Sequence, residues 1–184
     1  RFGLRGIEDL GNGLKAYFVL ESQIKADTGE GGGATQTASS SFFNRQSYVA
    51  LGSSSLGDVR FGRLESITRE YDVRILDASG ENELSIAEAV TSSRPLFQNF
   101  GTRIDNAFSY RSPILSGFQG ILTVGLSEDF KGTGTKSAEY EGVGLTFTQG
   151  PFNAALSYEQ LSGGVASGSY NKVVTVGANY DFGI

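Results

Sequence analysis

Residues Tyr140–Glu159 read YEGVGLTFTQGPFNAALSYE, and their parity decides the fold class. Val143, Leu145 and Phe147 fall on one face of an extended chain, with Tyr140, Gly142, Gly144 and Thr146 on the other. After Gln149-Gly150-Pro151, the residues Phe152, Ala154, Leu156 and Tyr158 resume an apolar face opposite Asn153, Ser157 and Glu159. A period of two on both sides of a short Gly-Pro connection predicts a β-hairpin, because successive strand side chains point to opposite faces.

The same rhythm continues in both directions. Toward the C-terminus, Val174, Val176, Ala178, Tyr180 and Phe182 oppose Thr175, Gly177, Asn179 and Asp181. Toward the N-terminus, Phe118, Leu122, Val124 and Leu126 oppose Gln119, Thr123 and Ser127, while Ile104, Phe108 and Tyr110 oppose Arg103, Asp105, Ser109 and Arg111. Val59 and Phe61 alternate with Arg60 and Gly62, and Val49 and Leu51 with Tyr48. Leu14, Ala16, Phe18 and Leu20 oppose Lys15, Tyr17 and Glu21 across the tight-turn signal Gly11-Asn12-Gly13 from Phe2 and Leu4, which oppose Arg1, Gly3 and Arg5. About nine strands result, joined by connections that alternate between short and long.

Composition agrees. Gly is 26 of 184 residues, and the aromatic set is 8 Tyr and 13 Phe with no Trp. There is no Cys and no His, which removes disulfides, thiol chemistry, Ser-His hydrolysis and imidazole metal sites. The net charge of −5 argues against nucleic acid as a partner. No 18-residue apolar run is present, which excludes a transmembrane helix and leaves the β-barrel solution open. Gly31-Gly32-Gly33 and Gly142-Val143-Gly144 lack the Lys-Ser/Thr that a phosphate loop needs, no loop motif supports calcium, and no carboxylate pair is singled out. The expectation is a protein that is not an enzyme and uses no cofactor or metal.

Two architectures fit the alternation. A soluble or surface-attached β-sandwich binding module would bury the apolar face, whereas an outer-membrane barrel would turn it to lipid. Aromatics near the ends of the apolar faces and charges in mid-strand on the other face (Arg5, Lys15, Arg103 and Glu159) favour the barrel.

Read in order, Arg1-Phe2-Gly3-Leu4-Arg5-Gly6-Ile7-Glu8-Asp9-Leu10-Gly11, Leu14-Lys15-Ala16, Arg45-Gln46, Tyr48-Val49, Phe61-Gly62-Arg63, Arg103-Ile104-Asp105-Asn106, Tyr110-Arg111-Ser112-Pro113, Ser116-Gly117-Phe118 and Tyr180-Asp181-Phe182-Gly183 resemble the Gram-negative general porins, most closely the β-proteobacterial type. The resemblance spans essentially residues 1–184 and implies a single, partial barrel domain: an antiparallel transmembrane β-barrel of sixteen strands, about nine of them present. It further implies a homotrimer in the outer membrane of a Gram-negative bacterium, in contact with membrane lipid and lipopolysaccharide. The implied function is passive diffusion of small hydrophilic solutes and ions. Sixteen strands would need roughly 320 residues, and the chain starts at Arg1 without Met or signal peptide. The sequence therefore reads as an incomplete chain lacking the family's first strand and about its last six.

Leu64–Gly101 is too long for a turn and carries no strand period; its seven carboxylates against three arginines give −4 of the chain's −5. On charge alone it reads as a solvated acidic surface loop. The resemblance implies instead that it folds into the barrel as a constriction loop, with Leu84–Val90 as one or two helical turns and Asp72, Asp77, Glu81, Glu83 and Glu88 as its acidic residues. Arg1, Arg63 and Arg103 hold the positions of the family's basic inner wall. Parity adds Arg5 and Arg60, and it puts Arg63 on the apolar face unless a bulge at Gly62, or the chain turning into the loop, swings it inward. For any one arginine, a rim charge binding lipid headgroups is the other reading.

Overall fold

Leu156 stands opposite Leu145 on one side and Val176 on the other, so three strands meet at the register the alternation demands. The computed structural model describes residues 1–27, 29, 42–72, 103–127, 129–130, 135–136, 139–162 and 170–183. In chain order the strands are β1 (Phe2–Gly11), β2 (Leu14–Ser22), β3 (Ser47–Ser53), β4 (Gly57–Glu65), β5 (Arg103–Arg111), β6 (Phe118–Gly125), β7 (Asp129–Phe130), β8 (Thr135–Lys136), β9 (Glu139–Gln149), β10 (Phe152–Ser162) and β11 (Tyr170–Tyr180). Nine of them form one antiparallel meander, β1-β2-β3-β4-β5-β6-β9-β10-β11, while β7 and β8 pair only with each other in the connection between β6 and β9. Within the meander consecutive strands lie side by side, whether a tight turn or a long connection joins them, as sequential elements of a sheet commonly do.

Turn chemistry sets one rim. Gly11, Asn12 and Gly13 all have positive φ (84°, 52° and 76°), a run that only Gly and Asn adopt cheaply, and the Asp9 carboxylate accepts from the Gly11 N–H at 2.8 Å. The β3–β4, β5–β6 and β9–β10 connections lie on this same short rim. The connections after β2, β4, β6 and β10 are the long ones and lie on the opposite rim.

Burial is inverted relative to a water-soluble sheet. The large aliphatics of the alternating set are exposed: Val49 at 60%, Leu122 at 47%, Val143 at 51% and Val176 at 77%. The opposite face carries Tyr48, Ala50, Ala107, Ser109, Thr123, Tyr140, Ser157 and Glu159, all buried. Among the described residues no second sheet covers the apolar face, so the sandwich reading has no partner layer. Rings gather at the short rim of the apolar face, with Phe118 to Phe147 at 4.6 Å, Phe147 to Phe152 at 6.0 Å and Tyr180 to Phe182 at 4.9 Å between centroids. Such a belt places amphipathic or polarisable rings at the membrane boundary.

One strand departs from simple alternation. Between Gly62 and Leu64 the β4–β5 register shifts, so that Asp105 and Asn106 together oppose Arg63, and Asn106 takes φ 51°. The extra residue is a β-bulge in β5, and it reverses parity above it. Ile104 is therefore buried on the inner face, not on the outer face with Phe108 and Tyr110 as strict alternation predicts.

Candidate functional site

The inner face is polar where a globular protein would place its core, and its charges fall into three groups tied together by residues 66–70. These residues follow β4 directly: Ser66, Ile67 and Thr68 are buried, and Thr68–Asp72 make a single π-helical turn. The Glu70 N–H donates to the Ser66 carbonyl at 2.9 Å and the Arg69 N–H to the Ser66 hydroxyl at 3.4 Å, which closes the turn locally. π-turns are uncommon and concentrate where a segment is held in place for function.

The first group sits at the long-connection rim. Glu65, with 1% side-chain exposure, has its Oε1 3.9 Å from Nη2 of both Arg45 and Arg103. Arg45 also reaches Glu21 at 3.5 Å, and its backbone N–H donates to the Glu21 carbonyl, which extends the β2–β3 pairing past Ser47 and fixes where its guanidinium emerges. Burial pushes the Arg45 guanidinium below its ordinary value, and the nearby Arg1 charge pushes in the same direction. Arg63 pairs with Asp105 and donates from Nε to the Asn44 carbonyl at 3.3 Å.

The second group lies lower, toward the short rim. Asp58 accepts from the Tyr17 hydroxyl at 3.0 Å, from Arg60 Nε at 2.8 Å, and from Arg111 Nε and Nη2 at 3.2 and 3.0 Å. Glu70, from the π-turn, accepts from Arg60 Nη1 at 2.7 Å and stands 3.7 Å from Arg111 Nη1. Arg60 also lies over the Tyr48 ring at 5.6 Å. Two arginines and two carboxylates alternate here, so each charge removed from bulk water has an opposite neighbour. The third group, Tyr140 and Glu159 on β9 and β10, receives the N–H groups of Ile67 and Thr68 at 3.1 Å each.

A buried polar wall, an exposed apolar exterior and the root of a long connection folded against the inner face are the anatomy of a channel barrel. The family profile described as Gram-negative porin matches residues 1–184. The chain belongs to the Gram-negative porin family. It is 33% identical to an outer membrane porin protein of Bordetella pertussis over 197 residues, covering 99% of this chain and 48% of that protein. It is 33% identical to outer membrane porin protein 32 of Delftia acidovorans over 192 residues, covering 100% of this chain and 51% of that one. Among solved structures it resembles the anion-selective porin from Comamonas acidovorans, with a TM-score of 0.75 at 30% identity over 98% of this chain and 53% of that one. This porin chain thus spans about half the length of the curated relatives it matches.

Of the residues singled out from sequence, Arg60 is buried on the inner face of the porin sheet, and Arg103 stands beside Glu65. Arg5 lies opposite Val19 on the face that carries Tyr48, on the exposed edge strand, and Arg1 acts electrostatically on Arg45. Arg63 is engaged by Asp105 at the bulge. Asp77, Glu81, Glu83 and Glu88, the side chain of Asp72, and the Leu84–Val90 turns lie outside the described residues. Arg45, Asp58, Glu65, Glu70, Arg111 and the Tyr140–Glu159 pair were not singled out as inner-wall site residues. Arg111 was within reach, since its parity matches Arg60, whereas Arg45 precedes the alternating stretch and parity says nothing of it.

Proposed function

We propose that this porin chain forms part of a water-filled outer-membrane channel for passive diffusion of small hydrophilic solutes and ions, with no catalytic step. The observation that carries the reading is the inversion itself: Val49, Val143 and Val176 outside, Arg60, Glu65 and Glu159 inside. Opposed fixed charges across a narrow aqueous gap create a transverse field that favours dipolar and charged solutes and disfavours bulky apolar ones. The basic side of that field is Arg1, Arg5, Arg60, Arg63 and Arg103, joined by Arg45 and Arg111; the acidic side is residues 64–101, acting as a constriction loop. Residues 66–70 support the loop reading because they turn inward immediately after β4.

Planar-bilayer recording tests this. The purified protein should give stepwise, ohmic conductance, and deletion of residues 81–89 should raise the single-channel value by widening the narrowest section. Unchanged conductance after the deletion would put the loop outside the pore.

The porin is further proposed to act as a homotrimer set in outer-membrane lipid and lipopolysaccharide. A groove of about 520 Å³ on the outer face of β1–β4, lined by Gly6, Ala16, Phe18, Val49, Leu51 and Phe61, also contains Glu8. A carboxylate is costly against acyl chains, so this patch suits contact with another subunit. Unheated detergent samples should migrate as a compact oligomer that heating dissociates; monomeric, heat-insensitive migration would refute the trimer.

A further inference from the structure

Glu159 is the most completely buried charged side chain described, at 0% exposure, in the middle of an inner wall that should be wet. A buried carboxylate persists only where donors replace its water. Three do so: the Thr68 N–H at 3.1 Å, the Thr68 hydroxyl and the Tyr140 hydroxyl. Tyr140, itself 1% exposed, then accepts the Ile67 N–H at 3.1 Å. Both N–H groups of residues 67 and 68 therefore end on β9 and β10, far along the chain from β4.

The packing beside this network is shaped for the same segment. Ile67, 1% exposed, clusters with Ile121. It lies over two glycines of β9: a Cβ on Gly142 would stand 2.8 Å from Ile67 Cδ1, and one on Gly144 would stand 3.0 Å from Ile67 Cγ2. Side chains at either position would lift the segment off the wall. Hydrogen bonds and shape thus hold residues 67 and 68 at one height above the sheet.

We propose that Glu159, acting with Tyr140, is the positioning residue that latches the root of the β4–β5 connection to the inner wall and so sets the width and steadiness of the channel. The inference rests on the channel reading given above. It concerns Ile67–Glu70, the part of the connection that stands in the lumen next to β9 and β10.

Glu159→Leu keeps the bulk and removes every acceptor. Single-channel conductance in planar bilayers should rise by about 1.5-fold, with added open-channel noise, because conductance follows the narrowest cross-section. Glu159→Gln retains an acceptor oxygen for Tyr140 and Thr68 and should restore most of the wild-type value. Thr68→Val combined with Glu159→Leu should match the Leu variant alone, since one latch cannot be opened twice. Gly144→Ala should act in the opposite sense, lowering conductance by pushing Ile67 into the lumen. Heat-modifiable migration reports that each variant is folded; if Glu159→Leu fails to fold, Thr68→Val and Gly144→Ala decide. Wild-type conductance in the folded variants, or additive effects in the double variant, overturns the latch. Absence of any channel in the unaltered protein would instead overturn the porin function on which it rests.

Discussion

Glu65→Gln is expected to shift the channel toward anions and to lower the barrel's stability by about 3 kcal/mol, the scale of removing one partner from a buried ion pair. The amide preserves the shape of Glu65, so the effect is one of charge. Arg45 and Arg103 both stand 3.9 Å from the same Glu65 oxygen, with side-chain exposures of 8% and 12%. Without that carboxylate the two guanidiniums repel across the gap, and Glu21 is the acidic partner left to Arg45 among the described residues. Burial already disfavours the charge on Arg45, yet an arginine does not lose its proton near neutral pH, so the repulsion stays. Urea unfolding in detergent reads the stability, and the zero-current potential in a salt gradient reads the selectivity. The selectivity change should shrink at high salt, where the Debye length falls to about 3 Å. Arg103→Gln in the same chain should return most of the lost stability. Unchanged unfolding and unchanged potential in Glu65→Gln would mean that this group neither supports the wall nor faces the solute path.

The same geometry alters what Arg103→Glu would do. From parity alone, Arg103 is a hydrated lumen charge whose reversal turns selectivity toward cations and leaves the fold intact. Beside the buried Glu65 the new carboxylate would form a like-charge pair, so the reversal should also destabilise. The resemblance singles out Arg103 but not its neighbour, because Glu65 lies at the end of β4, where alternation no longer governs side-chain direction.

The β9–β10–β11 register is legible because each strand alternates without interruption, and between β9 and β10 a short turn leaves no freedom of pairing. Ile104 was misplaced because the Asp105–Asn106 bulge adds one residue, and a one-residue change exchanges the two faces of a strand. Glu159 was visible as a charge in mid-strand. Its burial was not, since Thr68 donates to it across 91 positions of sequence and no local period encodes such a contact. Arg45 emerges just before β3, where its backbone bond to Glu21 and its ion pairs with Glu21 and Glu65, none of them encoded in a local period, orient it.

The outward face offers the larger perturbation. Leu122 and Val143 are directly paired on β6 and β9, 47% and 51% exposed, and lie toward the middle of their strands. In a barrel both side chains meet acyl chains. Arginine at such a depth costs about 2–4 kcal/mol per site, so Leu122→Arg with Val143→Arg should abolish heat-modifiable folding in detergent or lipid. Thr123 and Gly142 form the neighbouring pair on the opposite face. Thr123→Ser there should leave folding unchanged, because its hydroxyl can keep the contact with Ser109 at 2.8 Å. A soluble sandwich would also lose its core on receiving two arginines, so the solvent supplies the discrimination. With the unaltered chain, transfer from detergent to aqueous buffer should cause aggregation, since nothing among the described residues covers Val49, Leu122, Val143, Leu156 and Val176. A chain that stayed monomeric and folded in buffer, or a double arginine variant that still folded in lipid, would mean that this apolar face does not meet the membrane.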